Sequence, residues 1–491
     1  MAGKLLRNIF GENLSGTIKG GVESAKAVFK LAEVIEKNED AEALKPFIEN
    51  IDSILDVLNS PLGQVAGASL PFVSIATGII SYVVKQNKKE PSLEYEVQLV
   101  AQVAYLESIR KSKISDILTE TKEASAEVQK KIKKLNDELE FNEEDAEKTL
   151  ICFYDSPLRK KFNEILLARL QESGLDEPKA KIITEIISRD THRYMKKAVL
   201  EVKDDAKKLA GIYGGNWQND LEIYSSIDDY LEEAIATKPE EKVFDENFTF
   251  KDIYVPLEVK PVNSDGEVDK NAESQNIEEW GKTILLDENK DKQVLFIQAG
   301  PGRGKSVFCR MFADWVRQEL HPIYTPILIR LRDVRNFAAN IDETLADAVG
   351  RDFVKTDSGW LTDRNTRFLF LLDGFDELLL ERGASNELKV FLDQVAKFQK
   401  DAADNKKERG HRVLITGRPL ALYGIERLMP SNLERASILP MGDDIQQQWF
   451  EKWQTVVGGS GNRKSFGNFC TAKNVHIKLR SWRGSHFCYI C

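Results

Sequence analysis

Residues 294–308, VLFIQAGPGRGKSVF, constrain the fold of this chain more than any other segment. An apolar run enters a glycine-rich turn, and the residues after the turn return to helical spacing, so a buried strand must pass into a helix across a few residues. The turn comprises Ala299, Gly300, Pro301, Gly302, Arg303, Gly304, Lys305 and Ser306. Glycines let consecutive backbone N–H groups curl around a polyphosphate, and the following helix presents its positive end. Lys305 supplies counter-charge and the Ser306 hydroxyl a ligand for Mg²⁺. Ala299 replaces the first glycine of the usual G-x-x-x-x-G-K-[ST] spacing. A surface turn before a helix would also explain Gly-Lys-Ser alone, so two later segments matter.

The first is 367–377, RFLFLLDGFDE, an unbroken apolar run that reads as a strand buried on both faces with carboxylates at its C-terminal end. Open parallel sheets bind ligands beyond those strand ends. Asp373 is placed to hold Mg²⁺ directly or through water, and Asp376 or Glu377 to orient an attacking water by accepting its proton. The second is 413–419, VLITGRP, another short buried-strand pattern. Its Arg418 can sense a terminal phosphate, because a guanidinium offers several donors in a fixed fork.

Taken in order, these segments resemble the NACHT subgroup of the STAND signalling NTPases, to which the nucleotide-binding modules of NOD-like receptors belong. Asp373-Gly374-Phe375-Asp376-Glu377 is similar to the family's Walker B signature, and Thr416-Gly417-Arg418-Pro419 to its Thr-Ser-Arg-Pro sensor 1, with Gly417 in place of serine. Residues 250–257, FKDIYVPL, resemble the entry strand that precedes the P-loop in many bacterial members. The resemblance covers 248–453. It implies ATP or ADP with Mg²⁺, slow hydrolysis used as a switch, self-association on activation by an unknown trigger, and N-terminal helices acting as effector or adaptor. For prokaryotic relatives it implies antiphage defence. Full members continue into a winged-helix module and a sensor array. This chain instead passes at 458–461 into GGSG and a stretch without acidic residues, which reads as a truncated or frame-shifted end. A zinc site drawn from Cys470, Cys488, Cys491 and a histidine is the weaker reading of that tail, with one close cysteine pair rather than two.

The expected fold is an α/β P-loop NTPase, a doubly wound parallel sheet, preceded by an all-α N-terminal region. Strands are expected at 294–298, 327–331, 368–372 and 413–416, with a helix from Lys305 to about Leu320. The expected divisions are 1–90, a helical segment with a long uncharged stretch; 91–240, a helical bundle or linker; 241–455, the NTPase; and 456–491, an atypical tail. A net charge of −10 argues against a general nucleic-acid binder, and five scattered cysteines fit a reducing cytosol better than a disulfide framework. Residues 57–84 carry no charge, enough to cross a bilayer, and Gly63 with Gly67 gives a small-xxx-small spacing. Pro61, Pro71, Gln64 and several hydroxyls favour a buried helical hairpin over insertion. Membrane association through 57–84, and a membrane-active or scaffolding protein with a passive NTPase module, stand as alternatives.

Overall fold

The computed structural model describes residues 21–37, 41–48, 53–69, 71–87, 91–118, 122–138, 140–202, 209, 211, 217–243, 246–263, 265–334, 341, 343–345, 364–377, 385–405, 410–419 and 429–457. The readings made for 458–491, including the cysteine-rich tail, lie outside them. The chain divides into two compact units, Met1–Ser225 and Ser226–Cys491.

The first unit is helical: α1 (Gly21–Glu36), α2 (Ala41–Ile48), α3 (Leu62–Ala66), α4 (Val73–Asn87), α5 (Leu93–Lys111), α6 (Ala126–Glu138), α7 (Glu143–Ile151), α8 (Pro157–Glu172), α9 (Glu177–Val202) and the start of α10 (Trp217–Tyr230). Helix α5 is its axis. Every residue from Tyr95 to Ile109 is buried, as expected of a helix enclosed on all sides. Glu94 and Glu96 in its first turn and Arg110 and Lys111 in its last complement the helix dipole. Its buried Glu107 accepts the Phe72 N–H at 2.9 Å and pairs with Arg110 at 2.5 Å, so the carboxylate is not left uncompensated. Helices α4 and α9 pack along it, and α8 packs on α9. One apolar core runs from Ala27 to Leu209.

The uncharged stretch does not form one long helix. It is divided into a 3₁₀ turn (Ile54–Asn59), α3 and α4, with Pro61 preceding α3 and Pro71 preceding α4. Val57, Leu58, Leu62, Val65, Ile75, Ile79 and Val83 belong to the bundle core. Among the described residues no helix is long and apolar enough to cross a membrane, and membrane association through 57–84 gains no support. The Gly63/Gly67 spacing does not mediate close packing either. A Cβ at Gly63 would meet nothing within 4 Å, while Gly67 is the C-cap of α3. The close approach is at Gly78, where a Cβ would lie 2.5 Å from Ile35 Cδ1.

The second unit contains a seven-stranded sheet of β1 (Glu258–Pro261), β2 (Gln275–Asn276), β3 (Val294–Gln298), β4 (Thr325–Arg330), β5 (Phe368–Asp373), β6 (Arg412–Gly417) and β7 (Leu433–Ile438) in the order β2-β1-β7-β3-β6-β5-β4. Strands β7, β3, β6, β5 and β4 are parallel; β1 runs antiparallel to β7 and β2. A helical N-terminal region followed by this mostly parallel sheet is the α/β architecture expected from the sequence. Helix α12 (Ile277–Leu286) precedes β3, and crossover helices α13 (Lys305–Glu319) and α14 (Ser385–Asp404) follow β3 and β5. The four expected strands are present within one or two residues of their expected ends.

Two elements differ from expectation. The sequence reading has no strand at Leu433–Ile438, because LERASI is polar where a buried strand should be apolar. Glu434 pairs there with Lys290, and Arg435 donates to the Gln298 amide oxygen, each at 2.8 Å. The expected entry strand at 250–257 instead begins as the short helix α11 (Phe250–Ile253), and strand pairing starts only at Glu258. The reason is a capping box: Thr249 Oγ1 accepts the Asp252 N–H, while the Asp252 carboxylate accepts the Thr249 N–H at 2.8 Å.

Candidate functional site

Because β3, β6 and β5 are adjacent and parallel, their C-terminal tips lie side by side. Gln298 is in register with Gly417, and Leu372 with Ile415. The loop from Ala299 to Gly304 leaves the first tip, Thr416-Gly417-Arg418 the second and Asp373-Gly374-Phe375-Asp376-Glu377 the third. Two backbone hydrogen bonds join β6 to its neighbours here: the Ala299 N–H donates to the Gly417 carbonyl at 3.1 Å and the Phe375 N–H to the Thr416 carbonyl at 2.8 Å. Gly417 is confined, since a Cβ would lie 3.3 Å from both Phe296 and Phe375. A serine, as in the resembled motif, would crowd this contact.

The glycine loop depends on left-handed backbone at two positions, Gly302 (φ 63°) and Gly304 (φ 80°). At Gly304 a Cβ would also come 2.9 Å from Leu257 Cδ1. Lys305 opens α13 and curls back, donating from Nζ to the carbonyls of Ala299 at 2.9 Å and Gly300 at 3.1 Å. Burial holds its ammonium below the usual lysine range, with Arg418 acting in the same direction, against the Asp376 and Asp373 carboxylates. Ser306, in the first turn of α13, is exposed.

Asp373 and Asp376 are both buried. Asp373 Oδ1 accepts from Thr416 Oγ1 at 2.5 Å, and the same hydroxyl accepts the Gly374 N–H at 3.1 Å, which fixes the carboxylate across the β5/β6 boundary. Asp376 Oδ2 lies 2.6 Å from Arg418 Nε. Glu377 is more open, with Arg332 Nε at 3.9 Å. Its carboxyl is pushed up, first by desolvation and then by Asp373 and Asp376, with Arg332 and Arg418 opposing. Gly374 has φ 88°, and a Cβ there would sit 3.2 Å from Glu377 Cδ; the missing side chain gives Glu377 its place above the chain.

The structure therefore brings together Lys305, Asp373, Asp376 and Arg418, with Glu377 at the margin. Sequence reasoning missed Arg332, at the tip of β4, and the pairing of Arg418 with Asp376. Neither has a sequence signal, since each depends on strand order. It also missed a narrow apolar hollow lined by Phe250, Ile253, Tyr254, Val255, Leu257, Gly304, Val307 and Met441. The displaced entry segment forms most of its wall, and Gly304 belongs to both the hollow and the glycine loop.

A parallel sheet with a glycine loop after its central strand and acidic and arginine-bearing tips beside it defines the P-loop NTPase kind of fold. Independently of those tips, residues 41–250 match the family model described as NACHT N-terminal Helical domain 3. That match covers helices, not the sheet, and supports a NACHT-family protein of the STAND signalling type. No curated protein matches the chain.

Proposed function

We propose that this chain is a nucleotide-gated signalling switch that binds Mg-ATP or ADP at the three strand tips and self-associates in the triphosphate state, clustering its N-terminal helices. The observation that carries the reading is the meeting of Lys305, Asp373 and Arg418 at adjacent tips, in a chain whose helical region matches a NACHT-associated domain. Antiphage defence is the biological setting we infer, because residues 250–257 resemble the segment that precedes the P-loop in many bacterial members of the resembled family.

The residues suit the ligand. The loop backbone turns left-handed at Gly302 and Gly304, and among the described residues Lys305 is hydrogen-bonded only to neutral carbonyls, which a phosphate can replace. Ser306 and Asp373 would hold Mg²⁺, which when bound neutralises phosphate charge and strengthens the leaving group. A narrow apolar hollow beside the loop shares Gly304 with it. Arg418 contacts the terminal phosphate.

Hydrolysis follows from what remains. Glu377, raised in basicity by burial and free of a short ion pair, orients a water in line with the terminal phosphorus and accepts its proton as the new P–O bond forms. The bond to the bridging oxygen breaks and the electron pair leaves with the diphosphate.

The test is light scattering of the full chain in Mg²⁺ with ADP, with ATP, and with a non-hydrolysable ATP analogue. Mass should rise with the triphosphates alone, and Glu377→Gln should prolong the rise with ATP. A mass independent of nucleotide would refute the switch.

A further inference from the structure

Lys305 and Arg418, the two cations placed on the phosphates in the candidate site, are already engaged within the protein, but with acceptors of different strength. Lys305 donates to two neutral carbonyls, whereas Arg418 makes a 2.6 Å contact to a carboxylate whose side chain is 9% exposed. A charge-assisted bond of this kind is about twice as strong as a neutral one. Asp376, Arg418 and Lys305 are also within electrostatic reach of one another, since Asp376 and Arg418 both act on the Lys305 ammonium, in opposite directions.

From this geometry we infer that Asp376 is a specificity-determining residue: it competes with the terminal phosphate for Arg418 and so lowers affinity for ATP without lowering affinity for ADP. The inference rests on the proposed role of Arg418 at the terminal phosphate. A diphosphate that engages the loop and Lys305 leaves the Arg418–Asp376 pair intact. A triphosphate that reaches Arg418 has to draw the guanidinium from Asp376, leaving a buried carboxylate beside new negative charge. Asp376 is held in place for this by the turn after β5: the Phe375 N–H is anchored on the Thr416 carbonyl, two residues before Arg418, so neither partner can turn far from the other.

The chain thereby keeps the ATP-bound state from being favoured too strongly. Removing the Asp376 charge while preserving its shape should tip the balance toward ATP. This predicts a gain of affinity on substituting an acidic residue of the site, the opposite of what a metal ligand or a merely structural residue would give.

The experiment measures equilibrium affinities of the full chain, in Mg²⁺, for ADP and for a non-hydrolysable ATP analogue, in wild type, Asp376→Asn, Arg418→Gln and the double variant. Asp376→Asn is expected to raise the ATP-to-ADP affinity ratio about tenfold, through the ATP analogue alone, consistent with loss of one charge-assisted competitor. In the Arg418→Gln background the same substitution should change the ratio less than about twofold, since coupled partners are non-additive. Asp376→Glu, which keeps the charge, should leave the ratio near wild type. Asp376→Ser repeats the comparison should the asparagine variant fail to fold. An unchanged or lowered ratio in Asp376→Asn, or an equal effect with and without Arg418, would overturn the inference while leaving nucleotide binding intact. Absence of Mg-nucleotide binding by the wild type would overturn the proposed function, and this inference with it.

Discussion

Gly304 shows how narrowly the site is specified at the scale of one residue. Its φ of 80° and the Leu257 methyl 2.9 Å from a would-be Cβ leave no room for a side chain. Gly304→Ala should cost about 1–3 kcal/mol of stability in denaturant unfolding, and should weaken nucleotide binding as the loop shifts. Lys305 differs: it is part of no core, so Lys305→Ala should leave the melting temperature within a few degrees while removing phosphate counter-charge. The residues of the glycine loop, Asp373 and Arg418 were legible because each sits at a fixed distance from the end of an apolar run, and strand ends are easy to place in sequence. What could not be read was who pairs with whom. Asp376 and Glu377 are adjacent in sequence and interchangeable on spacing, yet one is held by Arg418 and the other faces Arg332 across a wider gap.

At the scale of elements, the edge strand β4 is guarded position by position. The Thr325 N–H turns inward to the Arg367 carbonyl, so positions 326, 328 and 330 face the open edge. Pro326 has no N–H, the Leu328 N–H donates to Tyr230 Oη at 3.1 Å, and Arg330 carries charge, each a device against edge pairing. Tyr230→Phe should cost about 1 kcal/mol and speed amide exchange at Leu328; unchanged exchange would show that the tyrosine does not cap the edge. The segment after Tyr230 also binds the P-loop helix α13, through Glu232 to Arg317 at 2.9 Å and Glu241 to Arg310 at 2.8 Å. In the helical unit, the Gly78 contact predicts that Gly78→Ala lowers stability by about 1–3 kcal/mol through overpacking, and that adding Ile35→Val recovers part of it. Elements whose identity rests on apolar periodicity were readable. Strand β7 and helix α11 were not, because the first is stabilised by polar partners from other strands and the second by a cap that overrides its apolar pattern.

At the scale of the whole molecule, the helical region and the alternating strands and helices after it were evident from the change of period near residue 240, while the partition of the uncharged stretch into three pieces needed the packing around α5. That packing encloses His192, whose ring is held well below the ordinary histidine range, chiefly by burial and secondarily by Lys196, and whose Nδ1 accepts the Phe153 N–H at 3.4 Å. Above the unfolded-state pKa near 6.5 neither state is protonated and the full stability is present. As pH falls below it the unfolded chain binds a proton that the fold excludes, so stability should drop by up to about 1.4 kcal/mol per pH unit. His192→Gln, which keeps an acceptor, should flatten that slope between pH 6.5 and 5 in unfolding followed by circular dichroism. The central claim, that three strand tips hold a nucleotide and its metal, is tested most directly by calorimetric titration of the full chain with ATP and with ADP, in Mg²⁺ and in chelator. The account predicts saturable one-site binding that needs Mg²⁺ for full affinity and weakens about a hundredfold in a folded Lys305→Ala variant. Absence of heat with either nucleotide, or binding that Lys305→Ala leaves unchanged, would contradict it.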